Sequence, residues 1–217
     1  MPFGEHNTWD FFPHKLYREE INDPYKAVND FFQRMKLTKY LTDLDDWFAA
    51  SCTSDFSLKQ RFPDLVCLIE DIERMLEAAW LISQVHPPAE RKTIVTPPSR
   101  QDIEDRLKLI EAWYVNRFSS VGIWDCFPRY LSADEMLDPY RVFHALFRLN
   151  SLPAWKDELK MLFEAAISNY SIYESLGSSN FYTTCTYLYK MVEAAFIINL
   201  IAYETTEQPA GGANAVA

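Results

Sequence analysis

Residues 9–53 open Trp9-Asp10-Phe11-Phe12-Pro13, pass through Asp23-Pro24-Tyr25 and run on into two helical patterns. Residues 124–168 open Trp124-Asp125-Cys126-Phe127-Pro128, pass through Asp138-Pro139-Tyr140 and do the same. The second stretch follows the first at a constant offset of 115 positions, without a gap, and about a third of the paired positions are identical. Self-similarity at one fixed offset marks a repeated supersecondary unit, and it is weighed before any local motif.

Each copy reads as helix. Asp23-Pro24 and Asp138-Pro139 are helix-start signals: an aspartate to cap free N–H groups, then a proline with no N–H to leave unpaired. Val28, Phe31, Phe32 and Met35 follow at helical spacing in the first copy, and Val142, Phe143, Leu146 and Phe147 in the second. After a break near Lys36 to Thr38 comes a stripe of Tyr40, Leu44, Trp47 and Phe48. After Asn150, Ser151 and Pro153 comes its partner stripe, Trp155, Leu159, Leu162, Phe163 and Ala166.

A third helix closes each copy, over about residues 63–85 and 179–203. Here the offset is longer by one. Arg74-Met75-Leu76-Glu77-Ala78-Ala79-Trp80-Leu81-Ile82 resembles Lys190-Met191-Val192-Glu193-Ala194-Ala195-Phe196-Ile197-Ile198. The second of these helices is apolar nearly all round, which predicts a central position.

Between the copies, residues 87–98 hold two Pro-Pro pairs and cannot continue a helix. Ser99 is a plausible cap for a linking helix over 99–118. Residues 1–8 read as a flexible arm and residues 204–217 as a disordered tail. The expected fold is therefore all-α, a tandem duplication of a three-helix unit with one extra connecting helix. The units, 9–86 and 124–203, should pack about a pseudo-twofold axis in one compact domain, because neither can bury its apolar stripe alone.

The chain has 217 residues, 48% hydrophobic and 24% charged, enough to build a core without disulfides or metal. Its formal net charge of −10 argues against a nucleic-acid partner. Cys52, Cys67, Cys126 and Cys185 are scattered and form no C-x-x-C pair, so free thiols in a reducing compartment are expected. The first residues carry no signal-peptide pattern, which points to the cytoplasm. Met191 to Tyr203, the most apolar run, is broken by Glu193 and too short to span a bilayer, so no membrane is expected.

None of His6, His14, His86 and His144 sits three residues after a glutamate, and His-Glu-x-x-His is missing, so neither metal nor cofactor is expected. His144, on an otherwise apolar helix, reads as a hydrogen-bonded structural histidine. There is no Gly-x-Ser-x-Gly elbow and no glycine-rich phosphate loop. The basic residues around Arg91 to Arg117 are interleaved with acids, as on a solvated helix face.

Glu77 and Glu193 stand out, each inside Met-x-Glu-Ala-Ala at the same place in its copy. A carboxylate in so apolar a setting must be paired, hydrogen-bonded or protonated. The repeated Tyr25, Tyr140, Trp9 and Trp124 are the candidate donors, and these six residues form the candidate ligand site. Both copies keep the whole set, which favours a packing role over catalysis. The expected function is a non-catalytic cytoplasmic interaction or regulatory protein, with a protein partner or a second copy of itself. The alternative is a small-molecule-binding protein or enzyme with a pocket between the two repeats, flanked by Glu77 and Glu193.

Overall fold

The computed structural model describes residues 11–55, 65–86, 128–173 and 178–207, with positions 99, 101, 104, 105 and 108, and these form eight helices and no strand. They are α1 (Arg18–Asn22), α2 (Pro24–Arg34), α3 (Leu37–Cys52), α4 (Leu65–Val85), α5 (Ala133–Leu137), α6 (Tyr140–Leu149), α7 (Leu152–Ile167) and α8 (Ser178–Glu207). The expected arm 1–8 and connector 87–98 lie outside the described residues, as do Trp9 and Trp124. Positions 101, 104, 105 and 108 of the expected linking helix are helical. The last helix runs to Glu207, beyond the expected start of the tail at 204.

The aspartates before the prolines do not cap as the sequence suggested. Asp23 makes no side-chain cap bond to α2. Instead its N–H closes the short helix α1 on the Glu19 carbonyl at 3.0 Å. Asp138 does the same for α5, its N–H bonding the Asp134 carbonyl at 3.0 Å. Each aspartate is thus a corner between a five-residue helix and a long one, with φ −141° and ψ 84° at Asp23 and φ −130° and ψ 79° at Asp138. Backbone closure of the preceding helix takes the place of side-chain capping of the next. Ser132 and Glu135 form a capping box at the start of α5.

The other breaks also pair up. Met35 and Lys36 are extended between α2 and α3, and Asn150 and Ser151 are extended between α6 and α7. Ser151 caps α7 by accepting from the Ala154 N–H, with Pro153 in the first turn, where its missing N–H costs nothing.

The apolar stripes meet in one core. The helix α2 packs on α4, and α6 packs on α8; α3 and α7 lie against each other; α4 also touches α6, and α8 also touches α2 and α3. Trp47, Trp155, Phe31, Phe32, Phe143 and Phe196 are fully buried. Burying a Phe-sized side chain contributes about 1.5–3 kcal/mol, so these residues dominate the packing. Every residue from 191 to 200 is buried, which makes α8 the central helix. Asn180–Ala202 is long and apolar enough to cross a membrane by length and composition, longer than the apolar run alone suggested. In the fold, 72% of its most apolar window is covered by the rest of the protein.

Candidate functional site

Glu77 lies mid-way along α4 and Glu193 mid-way along α8, both with no exposed surface. The alanines that follow them, Ala78-Ala79 and Ala194-Ala195, are also fully buried. Small side chains there let other backbone come close to the helix. The segment after Pro13 does so over α4, and the segment after Pro128 over α8, and both prolines are buried.

Each segment presents three successive N–H groups to its glutamate. The N–H of His14 donates to Glu77 Oε1 at 2.8 Å, and those of Lys15 and Leu16 donate to Oε2 at 2.7 and 3.2 Å. The N–H of Arg129 donates to Glu193 Oε1 at 2.6 Å, and those of Tyr130 and Leu131 donate to Oε2 at 2.8 and 3.1 Å. Consecutive N–H groups converging on one anion make a small electropositive concavity. The carboxylates therefore tie loop to helix. Burial pushes the Glu193 carboxyl above its usual range, with the three N–H bonds and the charge of Arg129 pulling the other way.

One helical turn earlier, each helix carries a cation engaged with the short helix. Arg74 pairs with Glu20 and, at 2.8 Å, with Asp30. Lys190 pairs with Glu135 at 2.7 Å. Among the described residues Glu77 has one further hydrogen-bond partner: Lys156 of α7 places its Nζ 2.6 Å from Oε1.

Of the four expected donors, Trp9 and Trp124 lie outside the described residues. Tyr25 and Tyr140 do not donate to the glutamates; main-chain N–H groups do. The tyrosines instead meet each other, with His86. The Tyr25 hydroxyl is hydrogen-bonded to His86 Nε2 and interacts with the Tyr140 hydroxyl. The Tyr140 ring stacks on the imidazole at 4.4 Å, while the Tyr25 ring meets it edge-on at 6.1 Å. All three side chains are half-buried. Burial and the neighbouring Tyr140 and Asp23 hold the Tyr25 phenol well above its ordinary range.

Two further departures concern histidine and lysine. His144 was expected to be hydrogen-bonded, yet its Nε2 is buried without a partner among the described residues. Lys156 carried no sequence signal, because the position 115 residues earlier is Leu41. Main-chain donors are likewise invisible to a search for side-chain patterns. The chain matches no protein-family model, no curated protein and no solved structure.

Proposed function

We propose that the chain is a non-catalytic helical interaction or regulatory protein of the cytoplasm, built by tandem duplication of a three-helix unit about a pseudo-twofold axis. The observation that carries this reading is the double latch. Glu77 and Glu193 are the groups best suited by burial to acid–base work, and each is already engaged by three main-chain N–H groups. A saturated, fully buried carboxylate holds structure and has little capacity left for a substrate.

The duplication reading draws support from bonds that recur at the same offset. Tyr40 donates its hydroxyl to the Phe31 carbonyl at 3.1 Å, and Trp155 donates its Nε1 hydrogen to the Leu146 carbonyl at 2.9 Å. Positions 40 and 155, and positions 31 and 146, correspond. The ion pairs Arg74–Glu20 and Lys190–Glu135 correspond in the same way. Lys15 and Glu73 form an ion pair, while the corresponding Tyr130 and Tyr189 stack at 4.1 Å. The contact survives although its chemistry has changed, which is how a packing constraint acts.

The interaction reading draws support from large side chains left in solvent on this rigid frame. Tyr17 is 71% exposed and Tyr182 is 74% exposed. Tyrosine is a favoured anchor at protein interfaces, since one end is apolar and the other wet. The alternative, a pocket flanked by Glu77 and Glu193, is weakened because both flanks are already spoken for.

Native mass measurement over a range of concentrations tests the self-association form, against a chain mass of 25.4 kDa. Association weakened by Tyr17→Ser and Tyr182→Ser is the expected result; a monomer at every concentration overturns that form. A thermal-shift screen against metabolites tests the alternative, because a binder raises Tm by mass action. A metabolite whose shift disappears in Glu193→Gln overturns the non-catalytic reading.

A further inference from the structure

We propose that Tyr25, His86 and Tyr140 hold a hard trivalent cation, ferric iron by class, where α2, the end of α4 and the start of α6 converge. Three atoms able to ligate a metal come to one place from α2, from α6 and from the residue that follows α4. The Tyr25 oxygen contacts His86 Nε2 and lies beside the Tyr140 hydroxyl. His86 is placed by the last turn of α4, its N–H bonding the Ile82 carbonyl at 3.0 Å. Stacking of Tyr140 on the imidazole fixes the two rings against each other.

The donor set selects the ion. Two phenolate oxygens are hard anions, and imidazole suits iron among other transition metals. An ion binding there displaces two phenolic protons to solvent, and the two phenolates leave one positive charge on the ferric centre. Asp23, whose charge already acts on the Tyr25 hydroxyl, offsets part of that. Half-burial leaves the group reachable from solvent.

A second observation points to the same corner. His144 lies four residues after Tyr140 on α6, so the two share a helix face. Its Nε2 is buried with no hydrogen-bond partner among the described residues. An orphaned imidazole nitrogen about one helical turn along α6 from Tyr140 is a spare donor. Packing alone does not call for these groups: phenylalanine at 25 and 140 fills similar space without a hydroxyl to satisfy. The sequence patterns for metal sites missed the group because they count histidine and carboxylates, and among the described residues those alone form no cluster.

The inference is independent of the interaction reading, since a docking protein can carry iron or lack it. Titration of the full chain with ferric nitrilotriacetate tests it, read as the visible phenolate-to-iron charge-transfer band. The expected result is a band that saturates at one iron per chain and a raised Tm in the loaded protein. The band should be lost in the Tyr25→Phe/Tyr140→Phe double variant, and His86→Gln should bind at least tenfold more weakly. Circular dichroism confirms that each variant is folded. No band with the wild-type chain overturns the proposal, whatever the variants do. So does a band of full strength in the folded double variant, which marks iron on the surface only.

Discussion

The ammonium of Lys156 stands 2.6 Å from Oε1 of Glu77, an ion pair between α7 and α4 over a carboxylate with no exposed surface. The position corresponding to Lys156 in the first stretch is Leu41, and the cation acting on Glu193 among the described residues is Arg129, through its charge. Two latches with the same main-chain donors thus differ in their counter-charge. Removing one member of a buried pair leaves the other uncompensated, at about 3–5 kcal/mol. Glu77→Ala should therefore destabilise by roughly that amount. Lys156→Met should cost less, about 1–3 kcal/mol, because three N–H groups still hold the carboxylate. Urea denaturation of the two variants checks the order; Lys156→Met costing more than Glu77→Ala would sink the argument.

Glu193 carries a pH dependence of definite sign. Its folded carboxyl titrates above the ordinary value of 4.5, mainly through burial. The folded state therefore holds that proton more tightly than the unfolded chain does. The resulting stabilisation is fully present below 4.5 and is lost as pH rises through the folded value. Glu193→Gln removes this term. The difference in Tm between wild type and variant should shift in favour of the variant as pH is raised from about 4.5. Parallel Tm profiles would show that Glu193 does not titrate differently on folding.

Much of this arrangement was legible in the sequence, and the limits have physical causes. Leu44, Leu159 and Trp155 fall on apolar stripes at helical spacing, and all are fully buried. The central place of α8 followed from its nearly uniform apolar surface. The short helices α1 and α5 carry too few residues to show a period, and they were missed. Asp23 looked like a cap because its side chain suits that role, but its backbone is used instead. The burial of Glu77 and Glu193 could be inferred from their neighbours, whereas main-chain donors more than 60 residues away could not. His86 gave no sign of meeting Tyr140, since only the fold brings those positions together.

The paired bonds of Tyr40 and Trp155 predict matching costs. Tyr40→Phe strips the donor from the Phe31 carbonyl, and Trp155→Phe strips it from the Leu146 carbonyl. Each loses a buried hydrogen bond, about 0.5–1.5 kcal/mol; the Leu146 carbonyl keeps the Asn150 N–H at 3.2 Å, and Trp155→Phe also loses ring volume. Trp155→Phe should therefore be the more destabilising of the two. Chemical denaturation with unchanged m-values checks it, and a neutral Trp155→Phe would remove the hydrogen bond from the account.

Arg74 and Lys190 occupy corresponding places but do different jobs. Arg74 engages both oxygens of Glu20 and also Asp30, which needs the planar fork of a guanidinium. Among the described residues Lys190 pairs with Glu135 alone, and both of its bonds can come from one ammonium. Arg74→Lys should then lose contacts that an ammonium cannot span, at about 1–2 kcal/mol, while Lys190→Arg keeps the charge it needs and should change stability by less than about 0.5 kcal/mol. Equal costs for the two exchanges would mean that charge alone, rather than fork geometry, holds α1 to α4.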